Sequence, residues 1–190
     1  MMETIKADFL KVYKHSVDRL NHVYGVRDMA IRLGKVYGAD LDKLEILAYL
    51  HDLTKYQPIA FHKSWILKHY DQTILKQYTE PLYHGFSAAA LAKEKYFIKD
   101  DEMLQALASH TVGRPNMGLL EKILFISDYI EVHRLYPSCV KVREIAFNDL
   151  DLAVFTAIDD SIKLYEQLGG AIPLVAYQAR DFYKPGGKYV

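Results

Sequence analysis

The sequence predicts an all-α fold. Three observations carry that expectation. Apolar residues recur at three- and four-residue steps along most of the chain. No stretch alternates apolar and polar residues between turn signals. Glycines and prolines mark short connections, none of them resembling a long domain linker. In chain order, the first clear stripe runs from His22 through Val23, Val26, Ala30, Leu33 and Tyr37, and Gly38 stops it. Asp40 is placed to cap the next helix, which carries Leu44, Leu47, Ala48 and His51 on one face. Thr54 to Pro58 is a poor continuation, so that helix ends just past His51. An alanine-rich helix follows His84-Gly85. Asp101 opens another, with Met103, Leu107 and His110 aligned, and after Gly118 the residues Leu120, Leu124 and Asp128 are spaced by fours. The longest pattern runs from about Val142 to Leu168, with a break near Asn148-Asp149, and ends at Gly169-Gly170.

Composition narrows the class. A chain of 190 residues suggests a single helical bundle, expected over residues 1–183, with a disordered tail at 184–190 around Pro185-Gly186-Gly187. Twenty-four Lys+Arg balance 24 Asp+Glu, which argues against a basic nucleic-acid arm, so no nucleic-acid partner is expected. The single cysteine, Cys139, excludes an internal disulfide framework and a Cys-rich zinc site. No apolar run approaches the ~18–20 residues of a membrane span. Met1 to Leu20 lacks the apolar core of a signal peptide, so a cytoplasmic protein is expected. The sequence leaves a homodimer open.

The chemistry concentrates in histidines and aspartates. Adjacent residues on a helix point about 100° apart, so His51 and Asp52 meet one point only if it lies beside the helix end. A His and an Asp leaving an apolar face together need partners, because an unpaired buried charge is very costly. A divalent metal is one such partner; a hydrogen-bonded ion pair is the alternative. His22, His84, His110 and Asp128 fall at helix ends or on inward faces of the same kind. Imidazoles and carboxylates suit Fe, Mn, Zn, Co or Ni. His15, His62, His69 and His133 sit beside Lys, Arg, Tyr or Ser and read as solvated residues without a role. Lys55, Arg114 and Arg134 around such a metal favour phosphate. Arg27 lies on another face and reads as structural. The segment Gly169 to Val175, with Ile172 and Val175, is a candidate nucleobase pocket, or else a helix terminator followed by core residues.

His22, His51-Asp52 and Asp128 in an all-α chain resemble the H…HD…D pattern of the HD-domain metal phosphohydrolases. His22-Val-Tyr-Gly-Val, Leu50-His51-Asp52-Leu53-Thr54-Lys55, Tyr83-His84-Gly85, His110-Thr111-Val112-Gly113-Arg114-Pro115 and Ser127-Asp128-Tyr129-Ile130-Glu131 resemble its YqeK family more closely, over roughly residues 18–168. The resemblance implies a single-domain HD-type bundle and an iron enzyme that cleaves diadenosine tetraphosphate symmetrically into two diphosphates. It implies His22, His51, Asp52 and Asp128 as metal ligands, and His84 and His110 as ligands of a second metal or as phosphate contacts. Asp52, Lys55, His84 and His110 would be catalytic, and Thr54, Lys55, His84, His110, Thr111, Arg114 and Arg134 would bind substrate. Val132 departs from the family's usual Pro. Two other readings stand beside this one: a broader HD-type nucleotide phosphohydrolase, and a metal-containing nucleotide-sensing module without turnover.

Overall fold

The computed structural model describes residues 1–186, and all regular structure among them is helical. In order these are α1 (Met2–Tyr13), α2 (Val17–Tyr37), α3 (Leu41–Leu50), α4 (Ile59–His69), α5 (Ile74–Gln77), α6 (Tyr83–Lys95), α7 (Asp101–Ser109), α8 (Leu119–Ile130), α9 (Pro137–Ala146), α10 (Leu150–Gln167) and α11 (Leu174–Tyr183). A single 3-10 turn, Glu80–Leu82, leads into α6. Of the tail expected at 184–190, Lys184 to Gly186 are exposed and the remainder lies outside the described residues. No helix among the described residues is long and apolar enough to cross a membrane.

Local signals set the helix ends. Gly38 takes the left-handed conformation (φ 69°), and its N–H donates to the Gly34 carbonyl, closing α2. The Asp40 carboxylate accepts from the N–H groups of Asp42 and Lys43, both at 3.1 Å, and opens α3. Asp149 does the same for α10, accepting from Leu152 N at 2.9 Å, which accounts for the break read at Asn148-Asp149. Asp101 opens α7 as expected, with the Asp100 carboxylate capping it by accepting from Met103 N at 3.1 Å. One boundary differs from expectation: α2 begins at Val17, so His22 sits inside that helix rather than at its start.

Helix α8 lies at the centre, against α2, α3, α7, α9 and α10. Its residues Ile123, Leu124, Ile126 and Ile130 are fully buried. Helix α1, which the sequence reading passed over, buries Ile5, Phe9 and Tyr13 at four-residue steps. Phe9 packs on Tyr24 of α2 and Tyr49 of α3, with ring centroids 5.7 and 5.2 Å away. This packing brings α2, the end of α3, the start of α6, the end of α7 and the end of α8 to one place, where the histidines lie.

Candidate metal centre

After the last residue of α3 the chain tightens. His51 N still bonds the Leu47 carbonyl, but Leu53 N bonds Leu50 O and Lys55 N bonds Asp52 O, each a three-residue closure. That overwinding lets neighbours His51 and Asp52 converge, with Asp52 Oδ2 at 3.5 Å from His51 Nε2. Tyr13 of α1 donates its hydroxyl proton to the Asp52 carbonyl and pins the turn from outside.

Asp52 is the hub. Its Oδ2 also lies 3.7 Å from His22 Nε2, while its Oδ1 lies 3.1 Å from His84 Nε2 and 3.8 Å from His110 Nε2. Two buried triads result, His22–His51–Asp52 and Asp52–His84–His110, each with its donor atoms within 4.8 Å of one another. Asp128 adds a carboxylate oxygen 3.2 Å from His22 Nε2.

The side chains are oriented as metal ligands are. His51, His84 and His110 each place Nδ1 at 2.7–2.8 Å from a backbone carbonyl three residues earlier, that of Ala48, Pro81 and Leu107. A carbonyl only accepts, so these Nδ1 atoms carry a proton and each Nε2 is the ring atom turned to the centre, a lone pair whenever the imidazole is neutral. His22 Nδ1 faces Glu131 Oε1 at 3.3 Å. The Nε2 atoms of His22 and His51 are buried and have no hydrogen-bond partner. Those of His84 and His110 face each other at 3.2 Å. A divalent cation held by these imidazoles and Asp52 would give the orphaned Nε2 atoms of His22 and His51 a partner and relieve the contact between those of His84 and His110. Burial, aided by His84 and His51 and opposed by Asp52, pushes His110 down to about 4, so it is a neutral imidazole at pH 7. Burial alone would raise Asp52, but His51, His110 and His84 outweigh it and hold the carboxyl well below its usual range.

Glu131 is the outer partner that the sequence reading left unassigned. It is buried, accepts from His133 N at 2.7 Å, and lies against α2 where that helix has Gly25. A Cβ at Gly25 would come within 2.5 Å of Glu131 Oε2, so glycine is what allows the carboxylate to reach His22. We expect Glu131→Gln to weaken metal retention about 10–100-fold, read by competition with a graded chelator. Unchanged retention would remove Glu131 from the support of His22.

Behind His84 lies a buried polar network. Thr54 Oγ1 and Ser87 Oγ both donate towards the His84 carbonyl, at 3.0 and 3.1 Å, and His62 Nδ1 lies 2.8 Å from Ser87 Oγ. Thr54 is thus buried beneath the ligands rather than facing a substrate cleft. His62, read as solvated, is also buried; its four-residue spacing to the buried Ile66 was the available signal.

Two clefts meet at the centre. One, about 900 Å³ in volume, is largely apolar, running between α8, α9, α10 and residues 171–173; His110, Thr111, Phe125, Asp128 and Ile172 line it. The Thr111 hydroxyl oxygen there is buried and unpartnered. The other, about 810 Å³, is cationic, with Arg19, His22 and Lys55 in its wall. Arg134 and Tyr136 border both. Three cations reach the candidate ligands from the clefts. Arg19 donates to Asp52 Oδ2 at 2.6 Å, Lys55 Nζ lies 3.2 Å from Asp52 Oδ1, and Arg134 donates to Asp128 Oδ1 at 2.8 Å. Arg19 has no place in the expected set. Arg114, by contrast, lines neither cleft; its guanidinium binds Glu121. Val175 is half-buried and lines neither cleft.

The HD domain matches residues 19–132 of this sequence. The chain belongs to the HD-domain family. Three curated relatives of this HD-domain chain carry the name symmetrical bis(5'-nucleosyl)-tetraphosphatase. That of Halalkalibacterium halodurans is 40% identical over 144 residues, 76% of this chain and 77% of the relative. Those of Bacillus subtilis and Staphylococcus aureus are 35% and 34% identical, over 76% and 81% of this chain and 77% and 80% of theirs. A crystal structure of a predicted HD superfamily hydrolase involved in NAD metabolism from Clostridium acetobutylicum superposes with a TM-score of 0.89 at 31% identity, covering 96% of each chain. Helices α1, α9, α10 and α11 lie outside the matched HD segment, so Tyr13 and the α9–α10 side of the apolar cleft are additions to it.

Proposed function

We propose that this chain is a metal-dependent hydrolase that cleaves diadenosine tetraphosphate and related dinucleoside tetraphosphates symmetrically, giving two nucleoside diphosphates. The observation that carries this is a buried double triad sharing Asp52, set where an apolar cleft meets a cationic one. The three curated relatives, named for the same reaction, support it.

We assign His22, His51, Asp52 and Asp128 to one cation and Asp52, His84 and His110 to a second, with iron the metal favoured by the resemblance. When bound, such ions supply Lewis acidity towards phosphoryl oxygens and water. The chain's own residues do the rest. The tetraphosphate lies across the centre with an inner phosphate against Lys55, Arg19 and Arg134. Lys55 and Arg134 shift from Asp52 and Asp128, and Arg19, held on Asp52, offers its remaining N–H groups, to neutralise the charge building on the phosphoryl oxygens. Water adds to one inner phosphorus, the bond to the central bridging oxygen breaks, and that oxygen leaves with the second diphosphate. Diphosphate is a weak base, so its departure needs no dedicated proton donor, and the protons released pass to solvent. One nucleoside lies in the apolar cleft, where Phe125 and Ile172 cover a purine and Thr111 offers an unsatisfied hydroxyl.

Product analysis on anaerobically purified protein, combined with metal analysis, tests the reading. Diadenosine tetraphosphate should give ADP as sole nucleotide, chelation should lower the rate by at least ~10²-fold, and added divalent iron should restore it. ATP plus AMP, nucleoside plus free phosphate, or tight binding without product would each reject symmetrical cleavage.

A further inference from the structure

The cationic cleft carries an aromatic feature that phosphate binding does not use. Tyr56 and Tyr136, 66% and 70% exposed, line it together with Arg19, Lys55 and Arg134. Tyr56 is held in place despite its exposure. Its hydroxyl accepts from Arg19 at 3.1 Å, the Arg19 guanidinium lies 5.5 Å from its ring centroid, and the ring meets Tyr13 edge-on at 6.0 Å. Arg19 is in turn fixed on Asp52 at 2.6 Å. A rigid aromatic surface is therefore tied, through one arginine, to the carboxylate shared by both triads.

From this geometry we infer that Tyr56 is the stacking platform for the second nucleobase of a dinucleoside polyphosphate, an inference that rests on the reaction proposed above. A tetraphosphate with a nucleoside at each end cannot place both halves in one cleft once its middle lies over the centre. If one half enters the apolar cleft, the other leaves past Arg134 along the cationic wall. Two aromatic rings line that wall, Tyr136 and Tyr56, and of these Tyr56 is the one held by Arg19 and Tyr13. Base-on-aromatic stacking tolerates any base, and a ring already immobilised loses little entropy on binding. The cleft would thereby favour substrates with nucleosides at both ends over mononucleoside polyphosphates.

The test is calorimetric. The metal-loaded protein is titrated with two probes, a diadenosine tetraphosphate with a methylene in place of its central bridging oxygen, and adenosine 5'-tetraphosphate. Tyr56→Ala should weaken the two-base probe about tenfold more than the one-base probe, and Tyr56→Phe should restore most of the difference. Equal weakening of both probes would show that the ring serves only to steady Arg19, and no weakening of either would remove it from the site; either result overturns the inference. Normal symmetrical hydrolysis with either of those results leaves the proposed reaction standing alone. Selective loss of the two-base probe in a protein that yields no ADP would retain the platform and reject the reaction.

Discussion

Asp52→Ala should lower turnover of diadenosine tetraphosphate by at least ~10³-fold and reduce bound metal, while the helical circular dichroism stays at the wild-type level. Asp52 is the only residue common to both triads, and its two oxygens face different imidazole pairs. On the proposed assignment its removal takes a ligand from each site at once, and it deprives Arg19 and Lys55 of the carboxylate they bind. Asp128→Ala removes one ligand from one side, so its effect on metal content should be smaller. The fold should tolerate the loss at Asp52. The hydrogen bond from Tyr13 is to the backbone carbonyl at that position, and the helices that converge there are packed elsewhere through α8. Metal content and turnover both near wild type would overturn the assignment of Asp52 as the shared ligand.

The second large effect concerns stability. Arg114→Met should destabilise the protein by about 3 kcal/mol, a fall of roughly 6–12 °C in Tm. Glu121 is 1% exposed at the head of α8 and accepts from Arg114 through two nitrogens, from Ser109 Oγ at 2.9 Å and from Gly118 N at 2.8 Å. It links the end of α7, the turn beyond it and the start of α8. Without the guanidinium its charge is left buried with only neutral donors, which is costly; the 34% exposure of Arg114 keeps the loss towards the lower end of the range for buried pairs. Combining Arg114→Met with Glu121→Gln removes the stranded charge and should recover part of the loss. An unchanged Tm with a large rise in KM would instead return Arg114 to the phosphate site.

Much of the scaffold was legible because its signals are local. Gly38, Asp40 and Asp149 act on backbone groups within a few residues, and the stripes of α2, α3 and α8 each bury one helix face. The His51-Asp52 convergence could also be anticipated, since it needs only that the helix end there. What escaped depends on contacts between residues distant in sequence. His22 and Glu131 are 109 positions apart and Arg19 and Asp52 are 33 apart, and no spacing rule connects them. The pairing of Arg114 with Glu121 was hidden for the related reason that a basic residue after a glycine turn looks equally suited to a phosphate and to a buried glutamate. His62 was misjudged because its neighbours along the chain are polar, although the helix turns it inward.

The manner in which the imidazoles are aimed bears on how such a centre can change over generations. Three of the four rely on a peptide oxygen that every amino acid supplies, so substitutions at Ala48, Pro81 or Leu107 leave the aiming device in place. Only His22 depends on a heritable side chain, Glu131, and that dependence extends to the bare backbone at Gly25. Among the four imidazoles, only His22 can therefore be re-aimed by sequence drift that leaves the histidine itself unchanged.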